Sequence, residues 1–192
     1  MNFVTESART PQAPVVVDSR AFVRRLYEAH FDYVWHTLRR LGVRPAELED
    51  VAHEVFIVVQ RKASDFDPTR PEKPWLFGIA YRVAADQKRL VRHARETALE
   101  HDPPSGAGNA EAAAIARQHR RLVEAALAGL PLDQRAVFIM HDVDELTMPE
   151  IARALDVPLN TAYSRLRLGR EAFTAAVRRI RARSETMKGA AP

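Results

Sequence analysis

Apolar residues fall at helical spacing along most of the chain. Phe22, Leu26, Tyr33, Val34, Leu38 and Leu41 recur on one face until Gly42 stops the pattern, which predicts a first helix. Pro45 stands where a helix can begin, and Leu48, Val51, Ala52, Val55 and Val59 follow at offsets of three, four, seven and eleven, which predicts a second. After the loop SDFDPTRPEKP a third pattern starts near Trp75 and takes in Leu76, Ile79, Ala80, Val83, Leu90 and Val91. Gly78 interrupts it, at about 1 kcal/mol against alanine. Period-two alternation is nowhere long enough to predict a strand.

The next stretch, ETALEHDPPSGAGNAEAAA, collects proline, glycine and alanine with Leu99 as its one large apolar residue, and reads as a flexible linker. Beyond it the helical spacing returns with Ile115, Leu122, Ala126 and Leu127, closed by Gly129 and Pro131, and then with Val137, Met140 and Val143. Thr147 and Glu150 have the T-x-x-E spacing of a capping box, so a helix starts there, and Asp156, Val157 and Pro158 end it within about two turns. Another helix must begin near Leu159 or Asn160. Two helices joined by so tight a turn are a helix-turn-helix, with Ile151, Leu155, Ala162 and Leu166 facing inward and Ala152 small where the helices cross. The fold class is therefore all-α: two small helical domains joined by a flexible linker, the C-terminal one with a helix-turn-helix. The expected division is a disordered tail over 1–18, a first domain over 19–95, a linker over 96–114, a second domain over 115–183 and a tail over 184–192.

Charge sharpens this picture. The formal net charge of +4 is unevenly placed, because Arg165, Arg167, Arg170, Arg178, Arg179, Arg181 and Arg183 face only Glu171 in their stretch. A basic end implies an anionic partner. The side chains left outside on the last helix are Asn160, Thr161, Tyr163, Ser164, Arg165, Arg167 and Arg170, types that bond base edges and phosphates. The bland reading is a solvated helix whose arginines complement the macrodipole. The absence of cysteine excludes disulfides and thiolate metal sites. The first residues form neither a signal peptide nor a membrane span, so a cytoplasmic protein without membrane insertion is expected.

Three segments in series then carry a family resemblance: LEDVAHEVFIVVQRK, FDPTRPEKPWLFGIAYRVAADQKR and LPLDQRAVFIMHDVDELTMPEIARALDVPLNTAYSRLRLGREAF. Over roughly residues 19 to 181 the chain resembles bacterial RNA polymerase sigma factors of the extracytoplasmic-function (ECF) group, which keep the second and fourth sigma domains. The resemblance implies a transcription initiation factor that binds core RNA polymerase (its beta and beta-prime subunits), reads the -35 duplex and opens the -10 element of promoter DNA. Asp50, His53, Glu54 and Gln60 match core-contact positions, His53 standing where glutamine is often found. Glu47, Asp50 and Glu54 would form one acidic face for a basic partner.

For the -10 element the resemblance implies Arg70 and Lys73 in the loop and Tyr81, Arg82, Lys88, Arg89 and Arg92 on the helix after it, with Asp86 placed to organise Arg82 and Arg89. Tyr81 and Arg82 depart from the residues common there. Trp75 reads as core rather than as a stacking platform. For the -35 element it implies Asn160, Thr161, Tyr163, Ser164, Arg165, Arg167 and Arg170. Asp156 sits at the turn where glycine is usual. No cofactor, metal or catalytic residue is implied, and an anti-sigma factor is a partner that the family commonly has. The alternatives are a helix-turn-helix regulator acting without polymerase and, further off, a small helical metalloenzyme on Asp50, His53 and Glu54. The zinc-protease spacing H-E-x-x-H fails at Ile57.

Overall fold

The computed structural model describes residues 19–95 and 111–189. Among the described residues seven helices carry the architecture: α1 (Ser19–Leu41), α2 (Leu48–Arg61), α3 (Glu72–Arg95), α4 (Glu111–Ala128), α5 (Leu132–Phe138), α6 (Met148–Leu155) and α7 (Leu159–Gly189). Single 3-10 turns at Pro45–Glu47 and Ala63–Asp65 and a π-helical turn at Ile139–Val143 join them. The described residues include no strand, and none of their helices is long and apolar enough to cross a membrane.

The first block is a three-helix cluster in which α1, α2 and α3 each pack on the other two. The spaced apolar residues fill it: Leu26, Val34, Leu38, Leu41, Val51, Ala52, Val55, Val59, Leu76, Ile79 and Ala80 are all buried. Gly42 ends α1 at φ +88, a left-handed turn that glycine adopts without strain. α3 begins at Glu72, three residues before the apolar pattern becomes visible. Pro74 is tolerated there because first-turn amides have no intrahelical acceptor. Glu72 is also pinned by Arg25 at 2.6 Å and His30 at 2.7 Å.

In the second block α7 packs on α4, α5 and α6. α4 starts at Glu111, inside the span read as linker, in keeping with the high helix propensity of its alanines. Val143, read as part of a helical stripe, is exposed, since the π turn at Ile139–Val143 rotates the register away from the core. α6 and α7 form the expected helix-turn-helix, with Met148, Ile151, Ala152, Leu155, Ala162 and Leu166 buried. The Glu150 carboxylate accepts from the Thr147 N–H at 2.9 Å and from its hydroxyl at 2.6 Å, which fixes the start of α6. α7 is the longest of these helices. It runs through the basic stretch to Gly189, into the span read as a tail.

Asp156 closes α6 in the left-handed region at φ 55, ψ 54, as the turn requires. Asp156→Gly is expected to stabilise the chain by up to about 1 kcal/mol, since the left-handed region strains a residue with a Cβ. Urea unfolding measures it, and a loss of stability would mean that the aspartate makes a contact worth more than the strain. Glu145 lies in the same region at φ 57, a turn the sequence pattern did not signal. The two blocks share one continuous apolar core, which holds residues from Leu26 to Ala84 and from Leu127 to Leu166.

Candidate nucleic-acid and partner interfaces

One face of α2 is spent on the core, and what remains outside is ordered by helical geometry. Asp50, His53, Glu54, Ile57 and Gln60 are exposed, one turn after another along a single stripe. Glu47 does not extend it, because its carboxylate is paired with Arg44. Ile57, 43% exposed, is a feature that the sequence reading passed over. Its signal was present: it falls out of phase with Val55 and Val59. An apolar side chain one turn from the Glu54 carboxylate, on a stripe that also carries Asp50, is a candidate anchor for a protein partner with basic surroundings.

The second surface is the loop after the Ala63–Asp65 turn together with α3. Phe66 stacks at a tilt between Phe22 (centroids 5.3 Å apart) and Trp75 (4.9 Å), so Trp75 is partly buried against the core as expected. Asp67 organises the loop: its carboxylate accepts from the Thr69 hydroxyl at 2.6 Å and N–H at 3.0 Å, and pairs with Arg70 at 2.8 Å. The Thr69 hydroxyl and N–H hold its carboxyl below the usual range. A cleft of about 150 Å³ opens here, lined by Phe66, Arg70, Trp75 and Arg82 and by Glu150 and Arg153 of α6. Aromatic walls with cations at the rim suit an unstacked base and its phosphate.

The other residues read as -10 contacts divide. Lys73 sits 5.5 Å from the Tyr33 ring centroid, and Arg82 donates to the Ala154 carbonyl at 3.4 Å. Asp86 pairs with Arg89 but not with Arg82, so the expected organising role holds for one of the two. Tyr81 is half-buried, which pushes its hydroxyl pKa up. The side chain of Arg92 lies outside the described residues. Lys88 is half-buried and donates to the Leu41 carbonyl at 2.9 Å, so in this structure it ties α3 to the end of α1.

Burial, and then Arg135, pull the Lys88 pKa down from 10.5 to about 8. Between those values the unfolded chain keeps a proton that the folded chain has lost, so stability rises as pH climbs through the window. Lys88→Met is expected to flatten that rise, as read from thermal midpoints at about pH 7.5 and 9.5. An unchanged rise in the variant would assign it to other groups.

The third surface is the front of α7. Asn160, Tyr163, Ser164 and Arg167 are exposed at steps of three or four residues and form one outward strip next to the open amides of the helix start. Thr161 and Arg165 are half-buried, and the Arg165 Nε meets Asp133 of α5 at 3.1 Å. Arg167 pairs with Glu171 at 2.7 Å. Arg170 donates to Asp142 at 2.9 Å, and that bond holds the Asp142 carboxyl below its usual range. Here Arg170 buttresses the helix against the π turn.

Sigma-70 region 2 matches residues 26–95, and Sigma-70 region 4 matches residues 120–173. The ECF RNA polymerase sigma factor RpoE of Cereibacter sphaeroides is 32% identical over 152 residues, covering 79% of this chain and 83% of that protein. The chain belongs to the ECF RNA polymerase sigma factors. A second relative, the ECF sigma factor SigE of Mycolicibacterium smegmatis, is 31% identical over 149 residues, and there the chain spans 58% of the relative's length. In fold this sigma factor resembles CnrH in complex with the cytosolic domain of CnrY, at TM-score 0.59 and 21% identity over 81% of this chain and 87% of that one. It also resembles RpoE in complex with the anti-sigma factor NepR from Bartonella quintana, at TM-score 0.63 and 17% identity over 83% and 98%. The α1–α3 block is thus the region 2 part of the sigma factor and the helix-turn-helix belongs to region 4.

Proposed function

We propose that this sigma factor binds core RNA polymerase through the outward stripe of α2, directs it to promoters by reading the -35 duplex with the front of α7, and captures -10 bases at the Phe66–Trp75 cleft. The observation that supports it best is the presence, in one chain and in the right order, of both Sigma-70 regions, each exposing the surface its task needs. Asp50, His53, Glu54 and Gln60, with Ile57 at their centre, make the polymerase contact. Arg70, Arg82 and Arg89 are the accessible cations for the opened strand, with Lys73 joining them once freed from Tyr33. Asn160, Tyr163, Ser164 and Arg167 reach base edges, and Thr161 and Arg165 steady the helix and its phosphate contacts.

The chain contributes no reacting group; polymerase performs the chemistry, and the sigma factor works in the cytoplasm where bacterial DNA is held. Weak contacts at two surfaces act together because polymerase presents both at once. An anti-sigma factor is a fitting regulator, as the NepR and CnrY complexes of its fold relatives suggest. Comparing promoter-fragment binding by the isolated chain and by the chain with core polymerase tests the reading. Weak binding alone with a large gain on adding core supports it; tight specific binding alone, unchanged by core, would make the chain a stand-alone helix-turn-helix regulator.

A further inference from the structure

Among the described residues eight large apolar side chains are exposed, and three of them, Leu159 (41%), Tyr163 (53%) and Leu168 (39%), fall within the first ten residues of α7. One exposed leucine is ordinary on a protein surface; three on the segment assigned to duplex reading call for a reason. Their placement follows from the helical turn. At 3.6 residues per turn Leu168 stands about 140° round the axis from Tyr163, five residues earlier, while Leu159 lies one turn behind Tyr163 on the same flank. Asn160, Ser164 and Arg167 fall between, so a polar centre is bordered by an apolar side chain on either side.

Each flank also carries an arginine, and in both cases an acidic residue draws it back. Arg165, on the flank of Leu168, meets Asp133 of α5 through its Nε at 3.1 Å. Arg170, on the flank of Tyr163, donates through its Nε to Asp142 of the π turn at 2.9 Å. The groups that the two flanks turn outward are therefore Tyr163 and Leu168. Glu171, the one carboxylate between residues 159 and 171, is paired with Arg167 at 2.7 Å.

Resting on the sigma reading, we propose that Tyr163 and Leu168 are specificity-determining residues that read thymine C5-methyl groups, and that the -35 element of this sigma factor holds A·T pairs whose thymines face the two flanks of α7. The methyl is the apolar group that base edges offer in the major groove, and thymine alone carries it, so an apolar side chain there separates thymine from the other three bases. Asn160, Ser164 and Arg167 bond the donors and acceptors at the centre of the groove. The methyl sits beside O4 on the side of its own strand, so the two flanks of a helix lying in the groove meet thymines of opposite strands. The surroundings fit a polyanion rather than an apolar protein surface: Arg167 stands between the flanks, the open amides of the helix start lie next to them, and Arg178, Arg179, Arg181 and Arg183 follow exposed on the same helix.

Deoxyuridine tests this, since it is thymidine without the methyl and keeps the same hydrogen-bonding edge. Promoter fragments are first selected from a randomised pool with the full-length chain and core polymerase. The selected upstream element is then resynthesised with deoxyuridine at one thymidine at a time, the -10 element left unchanged, and holoenzyme affinity is measured by competition. Each contacted methyl is expected to contribute about fourfold, the factor that burying one CH2 group gives. Leu168→Ala and Tyr163→Ala should each abolish the thymine preference at its own position, on opposite strands, while circular dichroism stays helical.

A selected element without thymines, equal affinity for thymine and deoxyuridine, or a preference that survives intact in both variants overturns the proposal and leaves the sigma reading standing. A loss of core binding in Leu168→Ala with the thymine preference intact also overturns it, and makes the apolar flank a protein contact. If the holoenzyme selects no upstream element at all, the sigma reading falls and the methyl reading falls with it.

Discussion

Replacing Asp50 and Glu54 together by lysine is expected to weaken binding to core RNA polymerase by about 100-fold, close to 2.7 kcal/mol. Both carboxylates are exposed on the outward stripe of α2, and neither shows an ion pair within the described residues. Their field is therefore available to a basic partner, and reversing it replaces attraction by repulsion at two points of one interface. The fold should hardly respond, because surface substitutions free of internal contacts change stability within about 0.5 kcal/mol. A titration of labelled sigma factor with core polymerase, paired with a thermal melt, separates the two effects. An unchanged affinity would show that the α2 stripe is a solvated face and nothing more.

The largest expected loss of stability is at a residue buried between the blocks. Arg135 donates to the Leu41 carbonyl at 2.8 Å, to Ala128 at 2.8 Å and to Leu130 at 2.9 Å. All three are carbonyls at or just past a helix C-terminus, where acceptors lack intrahelical donors and the dipole favours a cation. Burial lowers the Arg135 pKa to about 10, which leaves it charged near neutral pH. Arg135→Met keeps most of the volume but leaves three acceptors unmet in a dry site, and is expected to destabilise the chain by about 3–5 kcal/mol. Urea unfolding measures this, and a loss below about 1 kcal/mol would mean that water replaces the guanidinium without penalty.

Arg135 also marks where sequence reading stops. The amphipathic stripes of α1, α2, α6 and α7 were legible because each helix spends one face on the core, so spacing alone names Leu26, Val55, Ile151 or Leu166. The helix-turn-helix was legible from the Thr147–Glu150 cap and the Asp156–Pro158 break, both local chemistry. Long-range contacts leave no such trace. Nothing near Gly78 says that the Ala154 carbonyl will rest on it, so the glycine reads as a defect in a helix when its lack of a Cβ is what admits the neighbour. Lys73 and Lys88 read as free cations for DNA, yet a ring and a carbonyl distant in sequence engage them here. Ile57 was legible in principle, being out of phase with its buried neighbours, but a polar partner face draws attention to charges first.

Transcription from defined templates shows whether the chain makes core polymerase promoter-specific. Purified chain is mixed with bacterial core RNA polymerase on a library of promoter-bearing fragments, and the transcripts are sequenced. A core complex is expected, with transcripts from a subset of fragments that share an upstream and a -10 motif, absent when the chain is omitted. A chain that forms no complex with core, and adds no transcript to those of core alone, would contradict it.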